Sequence, residues 1–260
     1  MTDKKIVHIF WTGGWDSTYR IVELSRVPVS IQPIYVADPS RRSQHLELRA
    51  MDLIMHLLEQ KPETKAVFLP IKQINLSSLS KDPRVEEAWN FIFKTVSIGS
   101  QYKWLPVVAK QYPGIELCIE KPSGKRGGCT STLHQFGKLI QNADGSQKLD
   151  TASSAPQCSA LFENVSFPIL SLTEQDMLER IKTWGYEDVM KLIWFCNNPL
   201  NNHCCGFCTP CQQKMSKHME FLLDETARRR YKVFRFLSAL TGKRIAMKLC
   251  MLYFRIFKSK

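Results

Sequence analysis

The sequence IVHIFWTGGWDSTYR spans Ile6 to Arg20 and joins an apolar run to a glycine turn and a polar segment. The apolar run predicts a β-strand, and Thr12-Gly13-Gly14 predicts a tight turn directly after it. Ser17-Thr18 opens a segment predicted to be helical through about Arg26. The pattern therefore predicts a strand, a tight turn and a helix N-terminus in direct succession.

A corner of this kind favours phosphate binding. Glycines let the backbone approach an anion, while the unpaired N–H groups of the positive helix end point at it. The hydroxyls of Thr12, Ser17 and Thr18 add donors, and the Asp16 carboxylate is suited to orient a metal ion or a ligand hydroxyl. The alternative interpretation is a plain strand-to-helix connection.

The ordered residues Thr-Gly-Gly-Trp-Asp-Ser-Thr, 12–18, resemble the SGGxDS pyrophosphate loop of the PP-loop ATP pyrophosphatases. In that family the loop holds the phosphates of ATP while the α-phosphate is transferred as AMP to a substrate oxygen. A threonine replaces the usual serine and keeps the hydroxyl, and no Gly-Lys-Ser/Thr of a Walker loop follows. The resemblance implies an ATP-binding set and, within it, catalytic roles for Asp16 and Ser17. That set is Thr12, Gly13, Gly14, Asp16, Ser17 and Thr18.

Length and composition limit the class of protein. The 260 residues suit one α/β domain with an appendage. The N-terminal apolar run is too short for a signal sequence or a membrane span, so we expect a cytoplasmic protein. In that reducing compartment, the nine cysteines are expected to be metal ligands and buried thiols rather than disulfides.

Apolar runs and helical periodicity alternate along the first half of the chain. Strands are predicted at Val29–Val36, Ala66–Ile71 and Ile115–Glu120, and helices at Ser43–Gln60 and Pro83–Lys94. This alternation predicts a doubly wound parallel sheet of about five strands, with ligands at the carboxyl ends of the strands. Residues 142–156 are rich in Ser, Asp and Gly and predict an exposed loop.

The segment RRSQHLELRA, residues 41–50, resembles the stretch after the second strand in one PP-loop branch, the 7-cyano-7-deazaguanine synthases. Arg41, His45 and Glu47 match the spacing of Arg, His and Glu in those enzymes. The resemblance adds Arg41, His45 and the strand-ending Asp38 to the predicted ATP-binding residues. The alternative is a solvated helix face.

The middle of the chain departs from the synthases. Gly99-Ser100-Gln101 stands where they carry Gly-Arg-Asn, and Lys103 is the nearest replacement cation, which makes it the predicted catalytic lysine. Their Tyr-Pro-Asp-Cys-Arg loop has no counterpart. Instead, Lys125 to Gly128 forms a basic glycine turn before Cys129. This turn predicts a second anion site, an activated Cys129 thiolate, or a surface loop with a capped helix.

The resemblance returns near residue 167, where a Phe-Pro run leads to a helix start. Thr173 is the predicted N-cap and Asp176 completes a capping box. Glu174 replaces a lysine of the synthases, so the sequence assigns it no role.

Cys196, Cys205, Cys208 and Cys211 form the pattern C-x8-C-G-F-C-x2-C. Closely spaced cysteines with a glycine in the turn suit the tetrahedral coordination of zinc. The same spacing marks the zinc site of the synthases, and the preference for Cys205 over its neighbours Cys204 and His203 depends on that resemblance. Four thiolates leave no open coordination position, which predicts structural zinc.

The formal net charge of +12 is concentrated in the C-terminal tail. From Thr226 onward there are eleven cations and no Asp or Glu. An apolar stripe predicts a basic amphipathic helix broken near Gly242. The stripe consists of Phe236, Leu240, Ile245, Leu249, Leu252 and Ile256.

The chain thus divides into an ATP-binding α/β domain, residues 1–225, that includes the zinc site at 196–211, and a helical tail, residues 226–260. The tail is expected to pack on the enzyme itself or on a second copy in a homodimer, or to contact an anionic membrane or RNA.

In the synthases, ATP adenylates a carboxylate, ammonia displaces AMP to give an amide, and a second activation yields a nitrile. The resemblance therefore implies a ligase that uses ATP, Mg²⁺ and Zn²⁺ to join ammonia to a small-molecule acid or amide acceptor. Two alternatives stay open. One is a PP-loop amidotransferase or thiolase acting on a tRNA base or a sugar, and the other is a non-catalytic zinc and nucleic-acid-binding protein.

Overall fold

A computed structural model describes residues 4–121 and 128–256 of the chain, so the predicted turn at Lys125 and Arg126 lies outside it. Within these ranges eight strands form one sheet. They are β1 Ile6–Phe10, β2 Ser30–Ala37, β3 Val67–Phe68, β4 Lys72–Asn75, β5 Ile115–Glu116, β6 Leu139–Gln141, β7 Gln147–Leu149 and β8 Val165–Phe167.

The α-helices of the same ranges number eleven. They are α1 Trp15–Ser25, α2 Gln44–Glu59, α3 Pro83–Thr95, α4 Leu105–Ala109, α5 Gly128–Phe136, α6 Pro156–Phe162, α7 Glu174–Trp184, α8 Glu187–Met190, α9 Thr209–Ser216, α10 Glu225–Thr241 and α11 Lys243–Ile256. None of the helices in the described ranges is both long and apolar enough to cross a membrane.

The sheet has the order β3-β2-β1-β5-β8-β7-β6, and β4 also pairs with β2. Strands β1 to β5 and β8 pair in parallel, while β7 is antiparallel to both β6 and β8. The predicted α/β fold is therefore confirmed, but the sheet has eight strands in the described ranges rather than about five, and it is mostly rather than wholly parallel. Because β1, β2, β5 and β8 run in parallel, their carboxyl ends meet at one edge of the sheet.

Alternation along the strands builds a core on each face of the sheet. Ile9 and Tyr35 pack on one face against helices α1, α2, α7 and α8. Phe10 and Ile34 pack on the other face against α3 to α6. Helices thus cover both faces, as the predicted doubly wound arrangement requires.

Several predicted boundaries were wrong. The strand expected at Ala66–Ile71 is only the two-residue β3, and β4 begins beyond that range at Lys72; Pro70, which lies between the two strands, has no N–H to donate to a ladder. Strand β5 ends at Glu116, four residues early. Residues 142–156 are not all loop, because they include strand β7, which pairs with β6. A turn in which Gly145 has a φ of 85° joins these two strands.

The helical tail is confirmed as two helices that meet at Gly242, where the sequence predicted the break. The helices pack against each other and against the four-cysteine segment. The buried contacts come from side chains outside the predicted stripe. These docking side chains are Ala227, Phe234, Ala246, Cys250 and Phe254. The apolar stripe itself, as far as its side chains are described, faces away from the body.

Candidate functional site

The glycine turn after β1 is held tightly by the elements around it. Gly13 has a φ of 71°, and a Cβ there would lie 3.3 Å from the carbonyl oxygen of Glu47 in α2. The Gly13 carbonyl accepts a hydrogen bond of 2.8 Å from the backbone N–H of Trp194. Gly14 is the N-cap, and α1 begins at Trp15, two residues before the predicted start. The loop is therefore fixed between α2 and the segment leading to Cys196.

A cleft of about 230 Å³ opens beside this turn at the carboxyl edge of the sheet. Four of the predicted ATP-binding residues line it: Thr12, Gly14, Asp16 and Arg41. The lining also includes Glu120 after β5, Glu174 after β8, and Lys214 and Lys217 from helix α9 and its C-cap. Charged groups separated by up to two hundred residues in the sequence thus meet in one cleft.

The carboxyl group of Asp16 lies in an unusual environment. Burial, together with the carboxylates of Glu120 and Glu174, raises its pKa from 3.8 to about 7, although Lys214 and Lys217 oppose the shift. A group with this pKa exchanges protons near neutrality. Carboxyl groups that repel one another also suit a divalent cation, which prefers oxygen ligands and relieves the repulsion.

Glu174 lies at the centre of an ion-pair network. Its carboxylate pairs with the Lys214 ammonium and, at 2.5 Å, with that of Lys217, which also contacts Glu120 at 2.7 Å. Burial alone would raise the pKa of Glu174, but the two lysines outweigh it and hold this pKa below its ordinary value. Lys214 is itself buried, and its ammonium lies 5.0 Å from the centre of the Trp15 ring.

Trp15 lies in the wall of the cleft. Its indole N–H is buried, and it has no hydrogen-bond partner among residues 4–121 and 128–256. A buried donor without a partner is costly, so this side chain is an unsatisfied polar group beside the cleft. Sequence reasoning did not select this residue.

Two of the predicted hydroxyls lie away from the cleft. Thr18 is fully buried, and its hydroxyl accepts a hydrogen bond of 2.9 Å from the Trp11 indole N–H. Ser17 is half-buried in the first turn of α1 and is not among the residues that line the cleft. Thr18 therefore supports the turn from within the core, whereas the Thr12 side chain is exposed at the cleft.

Residues after β2 form a second local network. The buried Glu47 accepts hydrogen bonds from Tyr35, Ser43 and Arg41, the last at 3.1 Å. This contact holds the Arg41 guanidinium beside the cleft. Asp38 accepts from the hydroxyl and backbone N–H of Ser40, and the hydroxyl contact lowers the pKa of Asp38. The exposed His45 contacts Asn202 at 3.1 Å rather than the cleft.

Two candidates from the middle of the chain gain no support. The Lys103 ammonium lies 4.0 Å from the centre of the Trp89 ring, in a cation–π contact outside the cleft lining. Cys129 is buried in α5, and burial raises the pKa of its thiol, the opposite of what an activated thiolate requires.

The four predicted cysteine ligands come together in one buried group, with their sulfur atoms all within 4.8 Å of one another. The recorded Sγ–Sγ distances are 3.4 Å for Cys208 and Cys211, 3.8 Å for Cys196 and Cys208, and 4.0 Å for Cys205 and Cys211. Tetrahedral zinc with Zn–S bonds of about 2.3 Å needs sulfur atoms roughly 3.8 Å apart. The group therefore suits a metal ion such as zinc.

Backbone contacts favour the predicted choice of Cys205. The N–H of Cys205 donates to the Cys196 sulfur at 3.2 Å, and the N–H of Cys208 donates to the Cys205 sulfur at 3.2 Å. Such N–H groups stabilise negative charge on metal-bound thiolates. His203 instead contacts Asp224 at 2.9 Å.

Helix α10 covers the turn of the four-cysteine group, here called the candidate metal centre. Gly206 has a φ of 88°, and a Cβ there would overlap the carbonyl oxygen of Ala227 in the first turn of α10. The Phe207 ring stacks on Phe254 of α11, with ring centres 6.1 Å apart. The tail is thus part of the packing that surrounds the cysteines.

The metal centre and the cleft are joined by α9. Cys211 lies on this helix, Lys214 follows one turn later, and Lys217 is its C-cap. Sequence reasoning missed both lysines, as well as Glu120 and Glu174. The spacing from Cys211 was the available signal for the lysines, but no local pattern distinguished the two glutamates.

No protein-family model matches the chain, and no curated protein sequence is significantly similar to it. The fold and the site define an α/β protein in which a buried four-cysteine group that could hold a metal ion lies beside a charged cleft.

Proposed function

We propose that the protein is a PP-loop ATP-dependent enzyme that adenylates a small-molecule carboxylate or amide acceptor. The acceptor oxygen attacks the α-phosphorus of ATP, the bond to the β-phosphate oxygen breaks, and pyrophosphate leaves. With a carboxylate acceptor, ammonia then attacks the activated carbon and AMP departs, which gives the amide, since AMP is a better leaving group than the original oxygen. With an amide acceptor, AMP carries away the amide oxygen while the nitrogen loses its two protons, which gives the nitrile. These steps form the amide or nitrile expected of a relative of the 7-cyano-7-deazaguanine synthases.

One observation carries the proposal: the glycine turn after an interior parallel strand opens on a cleft lined by Arg41, Lys214 and Lys217. Helix α1 directs its N-terminal N–H groups to this side of the turn. Cations and N–H groups stabilise the charge that develops on a departing pyrophosphate. Asp16 and Trp15 add a carboxyl group and an unpaired indole donor.

The residues present are suited to the two expected metals in different ways. Asp16 is the cleft carboxyl group that would contact Mg²⁺ bound to the ATP phosphates, and this ion neutralises pyrophosphate charge when bound. Glu120 and Glu174 pair with Lys214 and Lys217 instead. The four cysteines would hold zinc as a structural ion, because they fill all four positions. Zinc would then affect the cleft indirectly, because it would fix the position of helix α9, which carries Lys214.

The test is to incubate the zinc-loaded protein with ATP, Mg²⁺, ammonia and a panel of candidate acids and amides, and to measure AMP and pyrophosphate. We expect AMP only when an acceptor is present, and its loss in Asp16→Ala. The matched control is Asp52→Ala, an exposed carboxylate on α2 away from the cleft, which should retain activity. Failure to bind ATP or to release AMP with any acceptor would contradict the proposal and favour a non-catalytic protein.

A further inference from the structure

The two tail helices carry a second apolar surface on the side away from the metal centre. Six large apolar side chains of this surface, here called the outer face of the tail, are between 43% and 68% exposed. They are Val233, Phe236, Leu240, Ile245, Leu249 and Leu252. Single exposed apolar residues are ordinary, but a continuous set of this kind marks a binding surface.

Helical spacing places these side chains together. Those of α10 recur at intervals of three and four residues, and those of α11 at intervals of four and three, so each set lies on one face of its helix. Phe234 and Cys250 are buried against the metal centre and mark the inner faces. On each helix, the exposed set lies roughly opposite the inner face. Because both inner faces dock on the same four-cysteine group, both exposed sets face outward.

Cations surround the outer face. Seven of them are exposed in the described part of the tail: Arg228, Arg229, Lys232, Arg235, Lys243, Arg244 and Lys248. The sequence has no acidic residue from Thr226 onward to neutralise them. Glu225 pairs with Arg229 alone. The complementary partner is therefore both apolar and negatively charged.

We propose that the outer face of the tail binds the surface of an anionic lipid membrane, with α10 and α11 lying in the headgroup region. Acyl chains cover the apolar side chains, while lipid phosphates and carboxylates meet the flanking lysines and arginines. Helix α11 has 14 residues, fewer than the roughly 20 needed to span a bilayer, so the helices lie along the surface.

Other occupants fit less well. A second copy joined through the same face would bring the two sets of cations together without any acid between them. An RNA strand would pair with the cations but would leave the aliphatic side chains of Leu240, Leu249 and Leu252 exposed. Of these three occupants, an anionic lipid surface is the one that matches both the charge and the apolar character. The proposal does not depend on the ATP chemistry of the cleft.

The test is sedimentation of the full-length, zinc-loaded protein with vesicles of phosphatidylcholine, with and without about 30% phosphatidylserine. We expect binding to the anionic vesicles to be at least about tenfold stronger than to the neutral ones, and to weaken as salt increases. The variant Phe236→Ser/Leu240→Ser/Leu252→Ser should lose at least about tenfold in partitioning. Lys232→Gln/Lys243→Gln/Lys248→Gln should lose the preference for phosphatidylserine while leaving the apolar face intact.

The matched control is Val27→Ser/Leu53→Ser/Ile140→Ser, which changes three similarly exposed apolar residues away from the tail and should bind as the original protein does. Zinc content and circular dichroism establish that each variant folds. The proposal is overturned if the original protein stays in the supernatant with anionic vesicles, or if the control variant loses binding equally. A dimer that dissociates on changing the outer face, or RNA binding without vesicle binding, would overturn it as well.

Discussion

The raised pKa of Asp16 predicts that a variant without this charge is more stable than the original protein at alkaline pH. In the folded chain the pKa is about 7, whereas the ordinary value is 3.8. Between these two values the folded protein holds a proton that the unfolded chain has released. The free energy of unfolding therefore falls as the pH rises through this window, and the full penalty is present above about pH 7.

The shift sets an upper limit of about 4 kcal/mol on this penalty. Asp16 is only half-buried by exposed area, and solvent screening reduces the penalty, so we expect about 1–3 kcal/mol. Asp16→Asn keeps the shape of the side chain and removes its charge. The variant should exceed the original protein in stability by this amount at about pH 8, and the difference should shrink steadily toward about pH 5.

The assay is urea unfolding of both zinc-loaded proteins at several pH values without nucleotide. Titrating groups far from Asp16 are common to the two proteins, so they cancel in the difference between them. Ser17→Ala, a neutral change in the same helical turn, is the control and should give a difference that does not vary with pH. A stability difference for Asp16→Asn that is the same at pH 5 and pH 8 would refute the reasoning about the cleft.

Three further predictions concern the metal centre and the ion pairs. Cys208→Ser should lose the single zinc ion expected per chain and much of the stability of the fold, because the free energy of structural zinc binding is also folding free energy. Metal analysis and thermal melts check this prediction, and a metal-free variant as stable as the original protein would contradict it. Gly206→Ala should be more destabilising than Gly114→Ala by about 2 kcal/mol or more in urea unfolding, because both glycines have a φ above 80° but only Gly206 faces backbone within reach of a Cβ. Lys217→Met should move the pH profile of AMP formation to higher pH, because removing this cation raises the pKa of Asp16 further. The control is Lys103→Met, which removes a cation that lies against Trp89 and should not shift the profile. An unchanged profile for Lys217→Met would show that this lysine has no influence on Asp16.

Features that depend on neighbours along the chain were predictable from the sequence. The Thr173 cap with Asp176 forms the predicted capping box, and the tail helix breaks at Gly242, since cap and helix-end preferences are local. The spacing of the cysteines, together with the resemblance to the synthases that favoured Cys205 over Cys204, selected the four that cluster, because ligands on one turn are held near each other by the backbone. The glycine turn after β1 formed where expected, although α1 begins earlier than the hydroxyl residues suggested.

Features that depend on distance in space were decided by the tertiary structure alone. Glu174 was assigned no role because it replaces a lysine of the synthases, whereas the fold brings Lys214 within ion-pair distance across forty residues. The tail shows the same limit: its periodicity revealed an apolar stripe but not that Phe234 and Cys250 would be the docking side chains. Periodicity and spacing arise from bonds along the chain, so sequence determines them. Electrostatic and packing energies depend on separations that exist only after the strands, α9 and the tail have assembled.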